Sequence, residues 1–402
     1  MNVPELRFPE FKQEWIRKKY GDVFSFRITN SYSRENLNYD DGFVKNIHYG
    51  DIHTKFNTLF DISKEVVPFI NSEIKLKNIS LDNYCKEGDL LIADASEDYE
   101  DVGKCIEILN INGEKVLSGL HTILARPDLY KMALGFNGYL MKSENIRLQI
   151  KTIAQGSKVL SISSKRLADL NLIVPQIPEQ KKIAAFLTVV DYKLIQLKKK
   201  KTLLEQYKKG VMQKIFSQEI RFKNENGKEF PKWMKEKLGV VCDINTGNKN
   251  TQDRIEDGLY PFFVRSNTVE KINSFSYDGE AILTSGDGVG VGKNFHYVNG
   301  KFDFHQRVYC LCKFKKEYLG LYIYFVFSEQ FYNRAIKLSA KNSVDSVRMD
   351  MISSMEIDFP SLPEQTKIAN FLSAIDEKIN HCSAQIEKTE LWKKGLLQKM
   401  FV

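Results

Sequence analysis

No stretch of this chain approaches the eighteen or so consecutive apolar residues that a membrane span requires. The opening residues, MNVPELRFPEFKQEW, carry acids and aromatics where a secretory leader has an apolar core. Six cysteines stand at 85, 105, 242, 310, 312 and 382 without CxxC spacing, which argues against both a zinc site and a disulfide framework. A chain in a reducing cytoplasm, without a membrane partner, is therefore expected. Catalytic signatures are also missing. There is no HExxH, no GxSxG elbow, no Asp/Asn-Pro-Pro-Tyr/Phe step of an amino-methyltransferase and no well-placed nuclease pattern. The glycine-rich run Ser285 to Lys293 fails both nucleotide-loop tests. Asp287 stands where a Walker A needs its first glycine, Asn294 follows Lys293, and Val291 occupies the third glycine position of GxGxxG. Such a loop suits close approach of backbone to another surface. The net charge of +8 permits nucleic-acid binding and establishes nothing more.

What the chain does contain is a duplication. Residues 175–216 align with residues 360–401 without a gap, at a constant shift of 185 (Pro175 to Pro360). Matched pairs include Pro178-Glu179-Gln180 with Pro363-Glu364-Gln365, Ile183-Ala184 with Ile368-Ala369, Asp191 with Asp376, and Lys209-Gly210 with Lys394-Gly395. Each copy reads as one long helix. Proline suits a first helical turn, and the glutamate after it suits the N-terminal dipole. Apolar residues then recur at steps of four and three: Ile183, Leu187, Val190, Leu194 and Leu197 in the first copy, Ile368, Leu372, Ile375 and Ile379 in the second. Each helix should be roughly 55–60 Å long at 1.5 Å per residue. If a pseudo-twofold relates the copies, the helices pair antiparallel, Ile183 near Met400 and Leu204 near Ile379, with a polar layer of Lys201 facing Cys382. The densest basic run, Lys198 to Lys201, reads as a solvated helix face.

The duplication reaches further. Trp15 to Val23 resembles Trp233 to Val241, and Leu6-Arg7-Phe8 echoes Ile220-Arg221-Phe222. This frame brackets two bodies, about 24–170 and 242–355. In the first, Asp89–Asp94 reads as a strand, Ala95–Lys104 as a polar loop, Lys115–Arg126 as a second strand region and Leu129–Leu140 as a helix. In the second, Glu280–Thr284, the glycine loop and Lys301–Leu311 repeat the pattern. Gly103-Lys104 aligns with Gly292-Lys293, His121 with His305, and Lys158–Ile162 with Ser343–Val347. A kept frame with differing loop side chains is what two readers of different ligands on one scaffold require. His305-Gln306-Arg307 and Arg265-Ser266-Asn267 carry the hydrogen-bonding side chains typical of base-edge or phosphate contact. The recurring Lys104/Lys293 and His121/His305 pairs add to them.

The two Pro-x-x-Glu-Gln-x-x-Ile-Ala-x-Phe-Leu helix starts, the Lys-Lys-Gly-(Val/Leu)-x-Gln-Lys-(Ile/Met)-Phe ends, the opening Pro4 to Pro9 with Trp15, and the loop GDGVGVGK resemble the specificity (S) subunit of bacterial type I restriction–modification systems. The resemblance covers essentially the whole chain. It implies an α+β protein: two globular target recognition domains of mixed strands and helices, joined by two long helices in an antiparallel coiled coil with pseudo-twofold internal repeat. The segments would be 1–174 (lead-in and first recognition domain), 175–217 (first spacer helix), 218–359 (lead-in and second recognition domain) and 360–402 (second spacer helix). It implies double-stranded DNA as ligand, read as a split asymmetric site, with two methyltransferase (M) and two restriction (R) subunits as partners. S-adenosylmethionine, ATP and Mg would then belong to the partners, and this chain would hold no cofactor, metal or catalytic residue. A type II system with a fused methylase–nuclease partner shares the expected fold, and a helical scaffold without DNA is the reading from another class. The residues expected at the DNA are Lys104, His121 and Ser161 in the first body. In the second they are Arg265, Asn267, Lys293, His305, Gln306, Arg307 and Arg348.

Overall fold

A computed structural model describes residues 2–76, 79–288, 290–338 and 346–402. It divides into two compact units, Met1–Leu197 with Gln385–Val402, and Lys198–Ala384. Both expected long helices are unbroken, Ile177–Phe216 and Leu362–Lys399. The unit boundaries cut across them, so each unit contains half of each helix.

In the first unit, Ile183, Ala184, Leu187 and Val190 share a core with Leu396, Met400 and Phe401. The start of one helix therefore packs on the end of the other, as antiparallel pairing requires. The second unit repeats this with Met212 and Ile215 against Ile368, Leu372 and Ile375. Removing such side chains from water, at about 25 cal/mol per Å² of apolar surface, is what holds each helical half in place.

The central sheets repeat as well. In the first unit the strand order is Phe24–Arg27, Thr122–Pro127, Leu90–Ala93, Cys105–Asn110, Leu59–Asp61. In the second it is Asp243–Thr246, Val308–Cys312, Tyr277–Ser285, Phe295–Phe304, Tyr260–Phe263, with Val269–Ile272 added at the edge. Both orders end with the same parallel pairing, Leu59–Asp61 on Cys105–Asn110 and Tyr260–Phe263 on Phe295–Phe304. The central strand Leu90–Ala93 is buried at every residue, so its side chains are apolar on both faces. The first unit also carries a separate four-stranded sheet built on Lys45–Ile47.

The frame explains the repeated lead-ins. Ile16–Lys19 pairs antiparallel with Asn171–Val174, and Met234–Lys237 pairs in the same way with Glu356–Phe359. The glycine after each lead-in allows two short helices to touch. A methyl group at Gly21 would lie 3.1 Å from the Ala168 Cβ, and one at Gly239 would lie 2.9 Å from the Ser353 Cβ.

One expected helix is mostly absent. Of Leu129–Leu140, only Asn137–Leu140 is helical. Side chains take the N–H groups that helix carbonyls would otherwise accept: Ala133 N–H donates to Gln180 Oε1 (2.8 Å), and Gly135 and Gly138 N–H donate to the Glu107 carboxylate (2.7 Å each). Residues 343–345 of the expected match to Lys158–Ile162 lie outside the described residues. Its last pair is comparable: Ile162 N–H donates to Asp94 O and Val347 N–H to Gly286 O.

Candidate nucleic-acid interface

The ladder ends define one corner in each unit. In the first, Thr122 pairs with Ala93, and the next residues close the corner: Asp94 N–H donates to His121 O at 3.0 Å. In the second, Val308 pairs with Ser285, and Gly286 N–H donates to Arg307 O at 2.7 Å. This register makes Arg307, and not His305, the equivalent of His121. The difference arises because the turn after Phe304 places His305 two residues earlier, where its N–H donates to Phe263 O.

At the first corner His121 holds a left-handed backbone (φ 53°) and its ring Nδ1 lies 3.2 Å from Asp94 Oδ1. Burial pushes the Asp94 carboxyl above its ordinary value, and the His121 ring partly opposes that shift. Lys104 donates to His53 O (2.8 Å) and approaches Asp101 (3.4 Å), so its ammonium is directed within the corner. Ser161 pairs with Ala95 where the strand Leu160–Ser161 meets Ala95–Ser96, and its hydroxyl donates to Gln155 O (3.3 Å). Residues missed by sequence reasoning gather here too. The Tyr49 ring lies 5.3 Å from His121, 4.6 Å from His48 and 6.1 Å from His53. Three histidines scattered between 48 and 121 give no spacing signal that could have joined them.

The second corner collects most of the expected residues. Arg265 Nη1 donates to Asp287 Oδ1 at 3.0 Å, and Arg307 Nε stands 3.7 Å from Asp287 Oδ2. His305 is buried; its Nδ1 accepts from Arg307 N–H at 2.9 Å. Burial, with Arg265 nearby, lowers its pKa, which favours the neutral ring that this acceptor role needs. Gln306 donates to Asn250 Oδ1 at 2.6 Å. Arg348 follows Val347 at the Gly286 edge, is exposed, and lies 3.3 Å from Asp350. Asn267 is exposed in the bend after Arg265. Lys293 is exposed at the end of the glycine loop, its ammonium 5.5 Å from the Tyr332 ring centre. Gly292, at φ 65°, has its missing side chain pointing at that ring, and Gly103 does the same against Ile150. That supports the alignment of Gly103-Lys104 with Gly292-Lys293. Asp287, the carboxylate between the two arginines, was read only as a failed Walker position.

No group of three or more His, Cys, Asp or Glu side chains among the described residues is placed to hold a metal ion, and none of the helices described is long and apolar enough to cross a membrane.

The two units thus carry one repeated frame with a corner of different side chains in each. The type I restriction modification DNA specificity domain matches residues 12–206 and again residues 231–389. The chain belongs to the family of type I restriction–modification specificity subunits, which take part in DNA sequence recognition. It is 25% identical to the putative type I restriction enzyme MjaX specificity subunit of Methanocaldococcus jannaschii, over 98% of this chain and 95% of that one. It is 29% identical to the Escherichia coli type I restriction enzyme EcoDI specificity subunit over 39% of this chain, a match spanning only 33% of that relative. The fold resembles a crystal structure of the type I restriction–modification S subunit from M. genitalium, with a TM-score of 0.64, 14% identity and coverage of 100% and 99% of the two chains. A chain from a structure concerned with complex assembly and conformational transition of the type I system gives a TM-score of 0.54 at 15% identity, covering 96% and 97%.

Proposed function

We propose that this chain is a non-catalytic reader of a split, asymmetric site in duplex DNA, each recognition body taking one half-site. The observation that carries the reading is the pair of equivalent corners with unlike chemistry: histidine with aspartate in one, two arginines with aspartate in the other. Equal ligands would call for equal corners, so unlike half-sites follow.

The long helices then set the number of unread base pairs. Each has about forty residues, as the bounds Ile177–Phe216 and Leu362–Lys399 require, and is about 1.5 Å long per residue. Their repeated outer faces dock two methyltransferase subunits and, through them, two restriction subunits. Methyl transfer from S-adenosylmethionine, with any flipping of the target base, takes place in the partner, and ATP and Mg serve the translocating subunit. This chain supplies recognition and placement, in the bacterial cytoplasm.

The test is co-expression with the methyltransferase subunit of the same host in a methylation-free strain, followed by genome-wide mapping of modified adenines. A split motif with two unlike halves is expected. A palindromic motif, or a soluble complex that leaves the genome unmodified and binds no duplex, would overturn the reading. Inserting four residues into each helix should alter the spacer while leaving both halves intact.

A further inference from the structure

We infer that the second unit reads a guanine through the guanidinium groups of Arg307 and Arg265, with Asp287 as the positioning residue that holds both. The inference rests on the proposed DNA reading and adds the base class recognised by one body.

Three segments build the arrangement. Arg265 follows the strand Tyr260–Phe263, Asp287 follows Tyr277–Ser285, and Arg307 precedes Val308–Cys312. The backbone of each arginine is held by a buried side chain. Asn294, only 7% exposed, donates to Arg265 O at 3.1 Å, and His305, 4% exposed, accepts from Arg307 N–H at 2.9 Å. The heads remain open to solvent: the side chains of Arg265 and Arg307 are 46% and 66% exposed, whereas Asp287 is 29% exposed. Asp287 engages Arg265 through Nη1 and faces Arg307 at Nε. Among the described residues, no hydrogen bond occupies the remaining N–H groups of either fork. One carboxylate between two guanidiniums leaves the trio with a net positive charge.

A phosphate contact does not require this construction. A lysine can hold a phosphate as a point charge, and an arginine fork can meet its oxygens from several directions, so the plane of the guanidinium need not be fixed. Fixed backbones, a shared carboxylate and outward forks are what bidentate donation to guanine O6 and N7 requires, because there the plane and direction of the fork carry the information. In the first unit the position corresponding to Arg307 is taken by His121, set against Asp94. The guanine is therefore expected in one half-site, at a position set by the second body.

The test is selection from a randomised duplex library by the full chain in complex with the methyltransferase subunits of its own host, comparing wild type, Arg307→Lys and Asp287→Asn. Arg307→Lys keeps the charge and loses the fork. It should reduce discrimination for G at one position of one half-site by roughly ten- to a hundredfold, while affinity for unrelated duplex at low salt stays unchanged. Asp287→Asn should relax the same position to a smaller degree. A motif whose altered half contains no G, or uniform weakening across all sequences with a shallower salt slope, would overturn the inference while leaving the split-site reading intact. Failure of the wild type to enrich any sequence would overturn that reading instead.

Discussion

The two units share their frame to the level of single hydrogen bonds and diverge in the bodies it supports. In the first, the buried Glu179 carboxylate accepts from Arg7 (2.7 and 2.8 Å) and from Trp15 Nε1 (3.3 Å). In the second, Glu364 accepts from Arg221 (2.7 and 3.2 Å) and Trp233 Nε1 (3.1 Å). Gln180 donates to Lys131 O and Pro175 O and accepts from Ala133 N–H; Gln365 donates to Glu317 O and Pro360 O and accepts from Leu319 N–H. The Glu-Gln pair at each helix start thus fastens a lead-in on one side and a recognition body on the other. Identical sequence persists at these anchors. It disappears at Glu107, whose ladder position is taken by Tyr297 in the second unit.

The largest expected effect comes from breaking the shared anchor. Glu179→Ala leaves Arg7 and Trp15 without their acceptor in a site where Glu179 is only 3% exposed, and should destabilise the first unit by about 3–5 kcal/mol. Glu364→Ala should do the same to the second unit, at the lower end of that range because Arg221 is more exposed than Arg7. Hydrogen exchange resolved by unit would check both. Loss of protection in the opposite unit alone would contradict the equivalence.

A pH experiment should separate the units. Glu107 is buried beneath the 133–140 segment, and burial raises its pKa to about 7 despite donation from Gly135, Gly138 and Asn137. A carboxyl whose folded pKa exceeds its unfolded value stabilises fully below the unfolded value, about 4.5, and that contribution disappears as pH rises through about 7. The first unit should therefore lose about 2.5 kcal/mol between pH 5 and pH 8. The second, with Tyr297 in the equivalent place donating to Glu280 at 2.6 Å, should lack this dependence. Unit-resolved exchange across that pH range is the measurement, and Glu107→Gln should flatten the first unit's response.

Much of this was legible in the sequence, for reasons that differ by region. The long helices and lead-ins announce themselves because their anchoring residues meet the same kind of neighbour twice, as Glu179 and Glu364 each meet an arginine and a tryptophan. Arg265, Gln306 and Arg307 stood out because their donors cluster along the chain. Glu107 gave no signal: its partners are backbone N–H groups some thirty residues onward, and they dissolve the helix that the pattern at Leu129–Leu140 predicts. Asp287 and the histidines around Tyr49 were hidden similarly, brought together by strand register and not by spacing.

Close approach at the frame glycines gives a smaller contrast. Gly239→Ala places a methyl 2.9 Å from the Ser353 Cβ and should destabilise the second unit by about 1–2 kcal/mol. Gly21→Ala should be milder, since its methyl lies 3.1 Å from the Ala168 Cβ; both glycines sit in four-residue helices that gain alike from alanine. Adding Ser353→Gly should restore Gly239→Ala in denaturant unfolding. Persistence of the defect would assign it to something other than that contact.

The smallest effect tests where the frame itself is asymmetric. The repeat exchanges one ion pair for another: Lys393 pairs with Asp191 in the first unit, and Lys208 with Asp376, at 2.6 and 2.8 Å, in the second. One difference between their surroundings is a hydroxyl. Tyr139 donates to Asp191 Oδ2 at 2.9 Å and lies under Lys393, whereas Lys208 lies over the Phe325 ring, which has no donor. Removing the lysine therefore leaves Asp191 with a hydrogen bond and Asp376 with none among the described residues. Lys208→Met should cost about 1 kcal/mol and Lys393→Met less, since partly exposed pairs are individually weak and an unpartnered carboxylate is the larger penalty. Tyr139→Phe should make the two lysine substitutions equal in a double-mutant cycle. If they are already equal in the wild-type background, the hydroxyl contributes nothing to the pair, and the two units are alike there in energy as well as in sequence.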